Sequence, residues 1–226
     1  MDFQQFVLAA STATLGEEPA ARENADALEF RLDLTAGGLE SLRSYDGSLP
    51  LIVTNRVEWE GGQAPDDPDR IEQLEAAVEL PGVEAVDVEL EAIGACHPVV
   101  EAAREEDVSV IVSSHDFEGT PARSELESTL ERACEHGDVG KLAVTAQSPD
   151  DVLDLLSVTR SCTVDGSTVA TMAMGEAGRH SRAVAPLYGS RIGYAPVDPA
   201  RATAPGQYAL EELRSLVTQL QPSTPV

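Results

Sequence analysis

Short apolar, β-leaning runs alternate with longer amphipathic stretches along the whole chain, and this alternation narrows the possible folds more than any other feature. The runs fall at residues 6–9, 27–32, 51–54, 85–90, 108–112, 139–144, 168–172 and 190–194, which makes eight strand–helix units. Between them, residues 69–80 place Ile71, Leu74, Ala77 and Val78 on one stripe at helical spacing. Residues 125–135, 150–156 and 208–220 keep the same period, the last with Leu210, Leu213, Leu216, Val217 and Leu220 as its buried face. Thr120-Pro121 and Ser148-Pro149 each read as an N-cap followed by proline at the first helical position, and Asp151 completes a capping box with Ser148. Regular βα alternation implies parallel strands joined by right-handed crossovers. Eight units suit a single (β/α)8 TIM barrel spanning residues 1–226, at the short end of the usual range. An open doubly wound sheet is the alternative. It normally announces a nucleotide site with a glycine-rich first turn, and neither G-x-G-x-x-G nor G-x-x-x-x-G-K-[ST] occurs.

Charge removes several classes of partner. Asp and Glu number 40 against 15 Lys and Arg, a formal net charge of -25. Nucleic acid and anionic membrane surfaces both need cationic patches, so neither is expected as a partner. The acids are dispersed over many segments, and 42% of residues are hydrophobic, which argues for a folded core rather than disorder. Dispersed acid with almost no lysine is the pattern of proteins that work in molar salt, where the Debye length is only about 3 Å. Cys96, Cys134 and Cys162 are widely spaced, with no C-x-x-C pair, so reduced thiols and a cytoplasmic location are expected, with no metal site. The amino terminus lacks the basic region and long apolar run of a signal peptide, and no window reaches transmembrane length.

Of the 15 basic residues, 14 are arginine and one, Lys141, is lysine. It lies in Val139-Gly140-Lys141-Leu142-Ala143-Val144, an apolar strand where a solvated lysine is out of place. An amine buried on a strand is costly unless it does chemistry, and imine formation with a carbonyl substrate is its commonest task there. Polar residues cluster at the ends of the other strands. Alternation puts Glu29, Arg31 and Asp33 on one face of the second strand. Arg56 and Glu58-Trp59-Glu60-Gly61-Gly62 follow the third, and Ser113-Ser114-His115-Asp116-Phe117 ends the fifth. Gly178-Arg179-His180-Ser181-Arg182 follows the seventh, and Ala202-Thr203-Ala204-Pro205-Gly206-Gln207 the eighth. In a barrel all of these ends meet at one mouth.

In order and spacing these pieces resemble the type I 3-dehydroquinate dehydratases, the Schiff-base enzymes of the shikimate pathway of aromatic amino acid biosynthesis. The resemblance runs from Glu29 to Gln207. It rests on Glu29-x-Arg31-x-Asp33, Arg56 with Glu60-Gly61-Gly62, Asp87-Val88-Glu89-Leu90, Ser114-His115-Asp116-Phe117 with Thr120-Pro121, Lys141, Ser181-Arg182 and Ala204-Pro205-Gly206-Gln207. It implies that Lys141 forms an imine with the ring ketone of 3-dehydroquinate and that His115 is the general acid and base, titrating near neutrality. Glu60 would hold His115 in one tautomer, and Arg182 would bind the substrate carboxylate. Glu29, Arg31, Arg56, Thr203 and Gln207 would contact ring hydroxyls, the carboxylate or each other. Thr203 stands where the family more often has serine, and Ser114 where it more often has asparagine. No cofactor and no metal are implied, and a homodimer is expected. Two other functions stay open: another Schiff-base barrel lyase such as a class I aldolase, and a catalytically inactive small-acid binding protein on the same fold.

Overall fold

A computed structural model describes residues 1–221. Eight strands carry the fold: β1 (Val7–Thr12), β2 (Ala27–Arg31), β3 (Leu51–Thr54), β4 (Val83–Glu89), β5 (Ser109–Asp116), β6 (Val139–Thr145), β7 (Val169–Met174) and β8 (Ile192–Pro196). Between and after them lie α1 (Glu18–Ala21), α2 (Gly38–Arg43), α3 (Pro68–Val78), α4 (His97–Glu105), α5 (Arg123–His136), α6 (Pro149–Val164), α7 (Gly175–Gly178), α8 (Ser181–Val184) and α9 (Leu210–Leu220). The strands run parallel in the order β7-β6-β5-β4-β3-β2-β1-β8. The seam between β7 and β8 is sealed differently. Arg191 N donates to Val169 O at 2.8 Å, and the Ser190 hydroxyl accepts from Thr171 N at 2.9 Å. The sheet is therefore a TIM barrel. Ser190, expected within the last strand, acts as this seam and not as part of β8.

Strand alternation gives the barrel two cores. Leu8, Leu28, Phe30, Val53, Val86, Val88 and Val112 face outward under the helices. Val7, Ala9, Ala27, Ile52, Ala85, Ile111, Val139 and Ala170 face inward and fill the lower barrel, with Phe3 plugging the base. Two residues further along the same strands the inward set turns polar: Ser11, Glu29, Thr54, Asp87, Ser113 and Lys141, all buried. Apolar below and ionic above, the interior places the chemistry at the carboxyl ends of the strands.

Local rules account for the starts of α3 and α6. Asp67 caps α3 by accepting from Arg70 N at 3.1 Å, with Pro68 in the first turn. Asp151 accepts from Ser148 N at 2.9 Å, the reciprocal half of the expected capping box at α6. Thr120-Pro121 departs from expectation. Helix α5 starts two residues later, after Ala122, because the Thr120 hydroxyl is spent on Thr145 O at 3.0 Å and ties the loop to β6. In α9, Leu210, Leu213 and Val217 are buried as expected, but Leu220 is exposed in the last turn. Helix α4 carries no expectation from the sequence. Among the described residues no helix is long and apolar enough to cross a membrane.

Candidate active site

All nine residues expected at the site line one cavity at the mouth of the barrel: Glu29, Arg31, Arg56, Glu60, His115, Lys141, Arg182, Thr203 and Gln207. Each arrives there for a local reason. Lys141 lies mid-β6 beside Ser113 of β5, and His115 lies beside Ala143, so lysine and histidine both point inward two positions apart on neighbouring strands. Glu60 sits in a short 3₁₀ turn whose exit needs two glycines. Gly61 has φ +77, and a Cβ there would meet the Phe117 ring at 2.5 Å. At Gly62 a Cβ would fall 1.9 Å from Arg56 O. The chain thus folds back on itself and presses Glu60 against the histidine. Arg182 is held by its neighbour, since the buried Ser181 hydroxyl accepts from Ala173 N at 2.8 Å and clips α8 to the end of β7.

His115 Nδ1 and Glu60 Oε2 are 2.7 Å apart, and the Phe117 ring stacks alongside the imidazole. Burial, with help from the charges of Arg56 and Lys141, pushes the His115 pKa well below its ordinary value, so the expectation of titration near neutrality is not met. Burial likewise raises the pKa of Glu60, against the pull of Arg56. The two shifts run in opposite directions, and both disfavour an imidazolium facing a full carboxylate charge.

The Lys141 side chain is 4% exposed, and Nζ donates to Asp87 Oδ2 at 2.8 Å while lying 4.3 Å from the centre of the Tyr194 ring. Asp87 is completely buried. Its carboxyl is held well below the usual range, because Arg56 and Lys141 together outweigh the cost of burial. Arg56 bonds Asp87 Oδ1 at 2.7 Å, Glu89 Oε1 at 2.9 Å and the Ser113 hydroxyl at 2.6 Å. Arg31 is chelated by Asp33 at 2.7 and 2.6 Å, so it pairs with Asp33 and not with Glu29. Glu29 instead accepts from the Ser11 hydroxyl at 2.5 Å and from Thr54 at 3.1 Å. Gln207 folds over its own loop, accepting from Thr203 N at 2.9 Å.

Arg182 differs from the other arginines of the cavity. Among the described residues no carboxylate pairs with it. Its Nε is buried without a hydrogen-bond partner, and burial lowers its pKa to about 10. A desolvated, uncompensated guanidinium facing a cavity is built to take an anion, and its fork matches a carboxylate. Phe117, from the Ser114-His115-Asp116-Phe117 motif, also lines the cavity, as do Tyr194, Met172 and Met174, to which the sequence did not point. The aromatic and apolar types of these last three, in strand contexts, read simply as core.

Comparison with known proteins agrees with this geometry. The family described as Type I 3-dehydroquinase matches residues 9–224. The chain belongs to that family. A Haloarcula marismortui protein described as 3-dehydroquinate dehydratase is 59% identical over 226 residues, covering 98% of this chain and 99% of the relative. One from Halobacterium salinarum, described in the same words, is 51% identical over 228 residues, covering 98% of this chain and all of the relative (100%). Among solved structures, 3-dehydroquinate dehydratase from Geobacillus kaustophilus superposes with a TM-score of 0.88 at 29% identity, covering 96% of this chain and 91% of that one. The type I enzyme from Clostridium difficile, described with covalently modified comenic acid, has a TM-score of 0.86 at 29% identity and covers 96% of this chain and 92% of that one.

Proposed function

We propose that this chain converts 3-dehydroquinate to 3-dehydroshikimate and water, the hydro-lyase step of the shikimate pathway, through an imine on Lys141. One observation carries the reading: the only lysine of the chain is buried in a cavity that also holds a histidine–carboxylate pair and an unpaired guanidinium. Arg182 takes the substrate carboxylate and so points the ring ketone down the barrel towards Nζ. His115 takes a proton from the Lys141 ammonium, the freed amine adds to the carbonyl carbon, and that proton leaves with the carbinolamine hydroxyl as water, which gives a cationic imine that withdraws electrons from the adjacent carbon. His115, neutral because its pKa is depressed, removes a proton from that carbon. The C–H electrons form the new C=C bond as the hydroxyl one carbon further leaves, protonated by the imidazolium. Water then hydrolyses the imine, which returns Lys141 and releases product. Glu60 keeps the imidazole turned and its tautomer fixed through the 2.7 Å contact at Nδ1. The Tyr194 ring beneath Nζ offers its face to the cationic imine.

The product is a conjugated enone acid that absorbs in the ultraviolet, so a spectrophotometric assay with 3-dehydroquinate in molar KCl tests the reading. Wild-type protein should generate absorbance, and Lys141→Ala should generate none. A silent wild type that still binds the acid would point to a binding protein instead.

A further inference from the structure

We propose that Arg70, on the outer side of the barrel wall, is a positioning residue for the amine of Lys141, acting through a buried chain of alternating charges. The chain has five members. Lys141 Nζ donates to Asp87 Oδ2 at 2.8 Å, and Arg56 donates to the other oxygen of that carboxylate, Oδ1, at 2.7 Å. Arg56 also donates to Glu89 Oε1 at 2.9 Å, and Arg70 donates to Glu89 Oε2 at 2.7 Å. Each carboxylate bridges two cations through separate oxygens, so the signs run plus, minus, plus, minus, plus from the cavity to the first turn of α3. All five residues are buried.

Arg70 does not line the cavity and touches no substrate. It is fixed from its own side of the wall. Its backbone N–H is taken by the α3 cap Asp67 at 3.1 Å, its guanidinium donates to Asn55 O at 3.2 Å, and its carbonyl accepts from the Asn55 side chain at 3.3 Å. These contacts hold the guanidinium square to Glu89. Glu89 Oε2 has no other donor among the described residues. Without Arg70 a buried carboxylate oxygen is orphaned, a costly condition that the structure relieves by drawing the Arg56 guanidinium towards Glu89. Arg56 then slackens on Asp87, and the charge of Asp87 falls more heavily on Lys141. The amine is held tighter and displaced from its line of attack, while Arg182, Thr203 and Gln207 keep their places. This inference rests on the imine reading of Lys141.

The test compares wild type with Arg70→Met in molar KCl, measuring kcat, KM, and both the rate and the final extent of borohydride trapping with 3-dehydroquinate. A positioning role predicts full trapping per folded chain, with trapping rate and kcat lowered about tenfold or more and KM within about twofold of wild type. Wild-type kcat and trapping rate in Arg70→Met would overturn the proposal. So would a loss confined to the extent of trapping, which marks a merely structural residue, or a loss confined to KM. If Arg70→Met does not fold, Arg70→Gln, which keeps an N–H donor but not the charge, is judged by the same criteria. Wild-type protein that is not trapped at all refutes the imine reading itself; trapping of wild type alongside wild-type behaviour of the variants refutes only the role of Arg70.

Discussion

The smallest unit of this site is a pair, His115 with Glu60, and its electrostatics set a pH expectation. Burial and neighbouring cations hold the His115 pKa below 6.5. A base whose protonated form is destabilised stays unprotonated to lower pH, so the acid limb of kcat/KM should lie below pH 6.5, measured as kcat/KM against pH in molar KCl. An acid limb centred at or above that value would contradict it. His115→Ala should lower kcat by about 10²–10⁴-fold, the usual worth of a general acid and base, and still permit slow imine trapping. Lys141 was legible in the sequence through scarcity and apolar flanks, and the cavity brings all nine expected residues together. Asp87 stands in the sequence only as part of the Asp87-Val88-Glu89-Leu90 resemblance, and the structure gives it direct contact with the amine. Arg70 was not legible at all, because an arginine in the first turn of a surface helix looks solvated. Only the tertiary fold turns it inward to Glu89.

Among the elements, the commonest discrepancy is where strands end. Strands β7 and β8 run two residues past the expected bounds, to Met174 and Pro196, and β1 and β5 continue past their apolar runs to Thr12 and Asp116. In β1 and β5 the polar upper interior of the barrel is what misleads: Ser11, Ser113 and His115 are strand residues that a hydrophobic pattern reads as loop. Helix α6 runs to Val164 because its second half mixes Ser157, Thr159, Ser161 and Thr163 among the apolar positions and blurs the stripe. Thr159 nonetheless faces inward, bonded to Thr171 of β7 at 2.6 Å. The capping box is where local sequence and structure agree most directly. Asp151→Ala frees the Gln147 and Ser148 N–H groups and should cost about 1 kcal/mol, or roughly 2–4 °C in Tm, with kcat unchanged. Thermal melts in molar KCl check this, and an unshifted Tm would contradict the capping role.

For the molecule as a whole, most of the 40 acidic residues lie outside a barrel interior in which Arg56, Arg70 and Lys141 are paired with Asp87 and Glu89. At about 0.1 M salt the Debye length is about 10 Å and the surface repels itself across several neighbours; at about 1 M it is about 3 Å and the repulsion is local. Tm should therefore rise steadily between dilute buffer and molar KCl, and an equal Tm in the two would remove the electrostatic account of the surface. The barrel itself was the most legible feature of the sequence, since eight βα units leave few other closed solutions, and the relatives and the strand order agree on it. What the whole fold adds is one barrel mouth in which one amine, one imidazole and one guanidinium without a carboxylate partner face the same space. The most direct test is borohydride reduction of the wild-type protein with 3-dehydroquinate in molar KCl, followed by peptide mass mapping. A stable adduct on the peptide containing Lys141, absent without substrate, is the predicted result. Turnover of 3-dehydroquinate with Lys141 unmodified would contradict the covalent mechanism.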